Sequence, residues 1–409
     1  MNAGASGSRS GCGDTARPAP LEGLKVLDFS RLFAGPYATM TLADLGAEVI
    51  KVESPAGDEA RYFGPPFLSG EGMNFMALNR DKRSISLDLK HPEAVDVARR
   101  LAREADVVVE NFRPGVAERL GIGYEQLRSE NPGLVYCSIS GFGREGAYQD
   151  RPALDVILQA MAGVMERQGR GGTPELLVVT VADTYAAALA VQSVLAALLA
   201  RARDGTGQFV EVTLFEALIA AQGYRIISHA EHVMLPAMDD TVPYGAFQTA
   251  DGEWLVIAVV SEKTWQALCT ALGVPELIVR PEFVSNPDRV RHKESLLPIL
   301  RRQFTLRSRA EWLELLEAAG VPTGPVRRVE DLIDDPHVLS RRTIVELDHP
   351  ACGRLRTLGS VLHLAETPTR VGRPAPRLGE HTLEVLHGLG LGPEEVDDLV
   401  KRGVARPSR

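Results

Sequence analysis

Leu24-Lys25-Val26-Leu27-Asp28-Phe29 and, some twenty residues on, Glu48-Val49-Ile50-Lys51-Val52-Glu53 decide the fold. Each is a short apolar run with the make-up of a strand buried on both faces. Between them Gly35-Pro36 marks a turn with Pro at the first helical position, Tyr37 to Leu45 reads as a short helix, and Gly46 stops it. Strand, helix and strand make a βαβ unit. The pattern returns: Pro92 opens a helix through Arg103 before the strand Val107-Val108-Val109-Glu110, and a helix near Tyr124 to Glu130 precedes the strand Leu134 to Ile139. Strands alternating with helices predict an α/β fold with a mostly parallel sheet covered on both faces.

Working outward, Thr184 to about Arg203 reads as a long Ala- and Leu-rich helix ended by Gly205, followed by the strand Phe209 to Val212. The grammar changes near residue 235. Gly245 to Thr249 and Trp254 to Val259 flank Ala250-Asp251-Gly252 as a hairpin, and helices follow at about Thr264 to Leu272, Lys293 to Phe304 and Arg309 to Ala319. The expected organisation is a disordered leader over 1–20, a large domain over 21–225, a smaller α+β domain over 240–345, and a C-terminal return to the large domain over 346–409. In that return Gly379-Glu380-His381-Thr382 opens one helix and Pro393 to Lys401 forms the last.

The 409 residues carry 54 Asp and Glu against 45 Lys and Arg, a net charge of −9. This balance gives no general attraction for phosphate backbones or anionic lipid, so nucleic acid is not an expected partner. The most apolar run, Ala186 to Ala200, is broken by Gln192 and Ser193, and no membrane span is expected from it. Cys12, Cys137, Cys269 and Cys352 lie far apart with no C-x-x-C pair, a usage that points to the cytoplasm.

Dinucleotide-binding, phosphate-loop, zinc-protease and serine-hydrolase signatures are all absent from the sequence. His229 and His232 would share one face of a helix, yet no third ligand is evident nearby, so no metal is expected. Asp183, in Val181-Ala182-Asp183-Thr184-Tyr185, stands where an apolar run meets the long helix. One reading makes it the helix N-cap. The other makes it a poorly hydrated carboxylate, held ionised by the field of the helix start and able to act as a nucleophile.

Several segments in order resemble the class III CoA-transferases, the family of formyl-CoA transferase and carnitine CoA-transferase. They are Leu21 to Ser30, Ala34-Gly35-Pro36, Leu45 to Glu53, Asn79 to Ile85, Val109 to Gly115, Ser140-Gly141-Phe142-Gly143 and Asp204 to Gln208, with Gly320 to Val326 and Leu378 to Thr382 further on. The resemblance spans about residues 21 to 402. It implies a Rossmann-like large domain, a smaller α+β domain and an interlocked homodimer. It also implies an enzyme that passes CoA between acids with no cofactor beyond the CoA thioester substrate, and it places the nucleophile at Asp183.

By the same resemblance Phe33, Ala34, Leu87, Asp88, Leu89, Lys90, Asn111, Phe112, Arg113 and Arg119 match CoA-contacting positions. Lys90 and Arg119 are also readable as solvated surface charges, and it is the resemblance that favours the CoA role. The formyl-CoA transferases have an arginine where Ser54 stands, so that contact is not expected here. Asp155 matches an acidic position near the active site and is also readable as the N-cap of a helix to Arg167. The chain looks most like the succinyl-CoA-dependent dicarboxylate branch, of the glutarate type, through Asp28 to Pro36, Gly64 to Phe67 and Val242 to Gly252. There Arg31 would take the remote carboxylate of the substrate, or else serve as an ordinary surface arginine. The alternatives are a 2-methylacyl-CoA racemase, whose histidine would fall at Leu154, and a non-catalytic acyl-CoA-binding protein. Leucine cannot exchange a proton, which disfavours the racemase.

Overall fold

A computed structural model describes residues 17–169, 172–223, 226–229, 232–234 and 241–408. Most of the expected leader therefore lies outside the described residues. The chain forms two compact units, one ending at Gln222 and resuming at His337, the other Gly223–Pro336.

The larger unit is built on six parallel strands: β1 Lys25–Asp28, β2 Glu48–Glu53, β3 Lys82–Ser86, β4 Val107–Glu110, β5 Val135–Ser140 and β6 Phe209–Thr213. Their spatial order is β3-β2-β1-β4-β5-β6, every pair parallel. The order reverses between β1 and β4, and in such sheets the crevice outside the strand ends at the reversal is where ligands bind.

The apolar strands supply both faces. Leu27, Val52, Ile85 and Val108 point to one layer with the helix α1 Pro92–Glu104 and with Val385, Leu386, Val396 and Leu399 of the C-terminal helices. Val26, Val49, Val107 and Val109 point to the other, against the helix Ala34–Asp44 and the helix α2 Val181–Asp204. Neighbouring residues of one strand thus enter different cores, as period-two alternation requires. The helix Ala34–Asp44 starts two residues earlier than the proline signal suggests, with Phe33 at its N-cap.

By length and composition α2 would suffice to cross a bilayer. Its face of Ala186, Ala187, Ala190 and Ala197 instead packs on the sheet, where small side chains let helix and strands approach. The C-terminal return covers the β3 edge: His381 N donates to Ser84 O at 2.8 Å and Arg406 N to Ser86 O at 3.0 Å. Pairing that edge removes a row of exposed backbone groups.

The smaller unit carries three antiparallel strands, Tyr244–Gln248, Trp254–Ala258 and Thr323–Pro325. Four helices, Glu262–Leu272, Asn286–Arg291, Lys293–Phe304 and Arg309–Ala318, enclose a core of Phe247, Leu255, Trp265, Leu300, Phe304 and Trp312. The expected helix carrying His229 and His232 does not form. Ile227–His229 and His232–Met234 are antiparallel strands, and Ala230 and Glu231 lie outside the described residues.

Candidate active site

Three carboxylates close apolar strands on the sheet's C-terminal side: Asp28 on β1, Glu53 on β2 and Glu110 on β4. All are buried, and each holds the loop after its own strand. Asp28 Oδ1 accepts from Ser30 N at 2.9 Å, Glu53 Oε2 from Asp58 N at 3.1 Å, and Glu110 Oε2 from Phe112 N at 2.8 Å. Buried carboxylates survive only with such partners.

Asp28 is the most heavily engaged. Lys82 Nζ reaches its Oδ2 at 3.0 Å and also donates to Pro36 O at 2.9 Å and Asn79 Oδ1 at 2.8 Å, while Thr39 Oγ1 donates to Oδ2 at 2.7 Å. Lys51 Nζ donates to Ser30 O at 2.7 Å and pairs with Asp58 at 2.9 Å. Burial alone would raise the Asp28 pKa. The charges of Lys82 and Lys51 overcome it and leave the group at about 2, whereas burial pulls Lys82 down to about 8. Burial likewise pushes Glu110 up to about 7, partly offset by bonds from Ser138 and Phe112.

Asn111 joins the loops on the two sides of the reversal. Its Oδ1 accepts from Arg31 N and its Nδ2 donates to Arg31 O, both at 2.8 Å, a pairing that fixes which way the amide faces. Asp58 Oδ1 accepts from Leu32 N at 3.0 Å. The segment Ser30 to Phe33 is therefore tied down by Asp28, Lys51, Asp58 and Asn111 together.

These loops wall a cavity of about 670 Å³. Ser140 to Gly143 form another wall, and a Cβ on Gly141 would lie 2.1 Å from Ala153 Cβ, so only glycine permits that approach. The loop Gln149 to Val156 and the start of α2 complete the enclosure, with Asp183 on the wall. All of these residues belong to the larger unit.

Asp183 is not the helix cap. The N-cap of α2 is Thr180, whose side chain makes no capping bond, and Asp183 sits in the first turn. The capping bond comes from outside the helix: Asp155 Oδ1 accepts from Ala182 N at 2.8 Å. Gln159, fully buried, donates to Asp155 Oδ2 and to Leu177 O at 3.0 Å, and accepts from Leu177 N at 3.0 Å, which fixes the approach to α2. Asp155 does not cap its own helix either, because Leu154 holds that position. The expected helix to Arg167 breaks into Asp155–Met161 and Val164–Gln168 at Gly163, whose φ is +77°.

Among the described residues Asp183 has neither a hydrogen-bond nor an ion-pair partner for its side chain. Burial first, and the Asp155 charge second, push its pKa up to about 7. The field of a helix start is worth up to about 2 kcal/mol for a partly buried group, about 1.5 pKa units, which is less than the rise that burial and the Asp155 charge bring. The result is a carboxylate with free lone pairs that titrates near neutrality on the wall of a cavity.

Phe33, Ala34, Asn111, Phe112, Arg113, Arg119, Asp155 and Asp183 share this cavity. Arg31 does not line it: its guanidinium pairs with Glu59 at 3.2 Å and lies 5.2 Å from the centre of the Phe112 ring. Leu87 to Lys90 are also elsewhere. Leu87 is buried in the core and bridges to Ala405, Asp88 N donates to Val404 O at 2.9 Å, Leu89 packs on the same core, and Lys90 is exposed. Sequence reasoning passed over Glu110, Gln159 and Arg151. Glu110 had a signal, a carboxylate ending a run of three valines. Gln159 had none.

The sequence of residues 21–382 matches the model of CoA-transferase family III. The chain belongs to this family. As a family III enzyme it transfers CoA. It is 37% identical over 374 residues to succinyl-CoA:glutarate CoA-transferase of Mus musculus, covering 90% of this chain and 86% of that protein. It is 38% identical over 383 residues to succinate–glutarate CoA-transferase of Agrobacterium fabrum, covering 90% and 96%. Among solved structures, a CaiB/BaiF family protein from Brucella suis superposes with a TM-score of 0.83 at 34% identity, over 91% of this chain and all of that one.

Proposed function

We propose that this family III enzyme moves CoA from succinyl-CoA to a dicarboxylic acid such as glutarate, with Asp183 as the covalent carrier. The observation that carries the mechanism is the division of labour at the start of α2. Asp155 satisfies the helix amide, and the Asp183 carboxylate is left unbonded on the cavity wall. The choice of substrates follows the relatives named above.

In the first step an Asp183 oxygen attacks the thioester carbonyl of succinyl-CoA and expels the CoA thiolate, leaving an aspartyl succinyl anhydride. The thiolate attacks the Asp183 carbonyl, releasing succinate and leaving an aspartyl-CoA thioester. The acceptor carboxylate displaces the thiolate to form a second anhydride, and the thiolate then attacks the acceptor's acyl carbonyl. Product acyl-CoA leaves and Asp183 is a free carboxylate again. Each step trades one activated acyl bond for another, so neither ATP nor a metal is called for. Desolvation supports the reading, because an anhydride exposed to water would hydrolyse.

Phe33, Ala34, Asn111, Phe112, Arg113 and Arg119 are assigned to CoA, the two arginines as partners for phosphate. Lys90 is assigned to its outer phosphates, while Leu87, Asp88 and Leu89 serve by anchoring the C-terminal segment. A second copy of the chain is the proposed cover for the apolar side chains beside the cavity, of which Val178 is 89% and Val179 62% exposed. The three described cysteines are free thiols, consistent with a cytoplasmic enzyme. Leu154 on the cavity wall offers no titratable group, which weighs against racemisation of a 2-methylacyl-CoA.

A donor and acceptor screen tests the assignment, with succinyl-CoA against glutarate, malate, itaconate and mesaconate. Transfer to at least one dicarboxylate, abolished in Asp183→Ala, is expected. Transfer only to monocarboxylates, or full activity in the variant, would overturn it.

A further inference from the structure

We propose that Arg151 is the residue that recognises the remote carboxylate of the dicarboxylic substrate, an inference that rests on the dicarboxylate reading above. A C4 or C5 diacid presents one carboxylate to the reacting carbonyl and a second that must be met by a cation or left desolvated. Among the described residues the cavity wall holds three arginines, Arg113, Arg119 and Arg151.

Their positions separate them. Arg113 and Arg119 follow β4, beside Asn111 and Phe112 at the sheet reversal. Arg151 lies on the other loop, four residues before Asp155. That loop is brought against the β5 end by the close approach of Ala153 to Gly141, and through Asp155 it is bonded to the amide next to Asp183. Arg151 is thus attached to the reacting end of the cavity rather than to the reversal.

Its geometry is defined without consuming its charge. The guanidinium carbon lies 4.4 Å from the centre of the Tyr148 ring, and Tyr148 is itself packed edge-on against Phe142 and Phe215 at 5.5 and 6.2 Å. Stacking on an aromatic face orients the planar fork and leaves its N–H edge free for a bidentate carboxylate. Among the described residues Arg151 makes no ion pair, whereas Arg144 on the same loop is paired with Glu118 and Arg31 with Glu59. Asp150, its neighbour in sequence and also on the cavity wall, makes no ion pair with it among the described residues, and Asp155 is occupied by Ala182 and Gln159. The role that the sequence suggests for Arg31 therefore falls better to Arg151, which lines the cavity where Arg31 does not.

The reaction is a double displacement, so kcat/KM for the acceptor reports only the second half-reaction and is independent of the donor. The measurement is the ratio of kcat/KM for glutarate to that for valerate, a monoacid of equal length, in the wild type, Arg151→Gln, Arg151→Lys and Arg31→Ala. The wild type is expected to prefer glutarate. Arg151→Gln should lower the ratio by about 10- to 100-fold, what losing a charge-assisted hydrogen bond is worth, with valerate little changed. Arg151→Lys, which keeps the charge but not the fork, should fall between the two and serves if the glutamine variant does not fold. An unchanged ratio, an equal loss for both acids, or a collapse in Arg31→Ala alone would overturn the role of Arg151. A wild type that uses no dicarboxylate would instead overturn the reading on which it rests.

Discussion

The carboxylate of Asp155 accepts a hydrogen bond of 2.8 Å from the amide of Ala182 and so performs for α2 the service that its own first-turn aspartate does not. Asp183 is thereby spared. An aspartate whose oxygens were spent on backbone amides would be a weaker nucleophile with a lower pKa, because hydrogen bonds to the charged form favour it.

Replacing Asp155 separates its two effects. Asp155→Ala removes the acceptor and should cost about 1 kcal/mol of stability in urea unfolding, the usual value of a lost cap. Asp155→Asn keeps an oxygen for Ala182 but removes the like charge that raises the Asp183 pKa, so the acidic limb of the pH–rate profile should move to lower pH. An unmoved limb would show that the two carboxylates do not interact.

The pH dependence follows from Asp183 at about 7. It must be ionised to attack, so kcat/KM should rise with pH through about 7 and level off above it. Stability should run the other way. A carboxyl raised above its unfolded value holds its proton better in the folded state, so it favours folding at low pH and disfavours it once the pH exceeds the folded pKa. Asp183→Asn should therefore be more stable than the wild type at pH 8, by on the order of 1–3 kcal/mol after discounting for partial solvation, and lose that advantage near pH 4. Paired denaturant titrations at the two pH values check the sign.

The buried pair Asp28–Lys82 should prove far less tolerant. Asp28→Asn leaves Lys82 without its carboxylate partner in the interior, and removing one member of a buried pair costs about 3–5 kcal/mol. The loss should appear as a lower urea midpoint together with a higher KM for the acyl-CoA, since Asp28 also holds Ser30 in the cavity loop. The depressed pKa adds that stability from Asp28 is present above about pH 4 and lost as the pH falls toward 2.

Gly141→Ala should fail for lack of room. The new methyl would sit 2.1 Å from Ala153 Cβ and push apart the two loops that carry Ser140 and Asp155, at a cost of about 1–3 kcal/mol and of turnover. The double variant Gly141→Ala, Ala153→Gly should recover part of both, measured by melting temperature and kcat.

Five of the six strands of the sheet were legible in the sequence as short apolar runs, whereas β3, which opens on Lys82-Arg83-Ser84, lacks such a run and was not. Val107-Val108-Val109 and Val26 to Asp28 have no solvent side whose polarity could confuse the period, and Gly and Pro punctuate what lies between. The hairpin was legible from the turn Ala250-Asp251-Gly252 between two strands, and the long helix from its Ala- and Leu-rich run ended by Gly205. The N-terminus of α2 was not. Capping by a residue 27 positions upstream leaves no local signature, so the residues alone favoured Asp183 as the cap over the nucleophile, and the helix-start field looked decisive when burial outweighs it. Leu87 to Lys90 illustrate the opposite limit: family position brought them to notice, whereas the contacts of Leu87 with Ala405 and of Asp88 with Val404 exist only because the chain end returns to β3.

The central claim is that Asp183 carries the acyl group and then CoA. The direct test is to incubate the enzyme with succinyl-CoA alone, trap with borohydride or hydroxylamine, and map the modified peptide by mass spectrometry. One modified site, Asp183, absent when succinyl-CoA is omitted and absent in Asp183→Ala, is the predicted result. Modification of a different residue, or no modification in an enzyme that turns over normally, would contradict it.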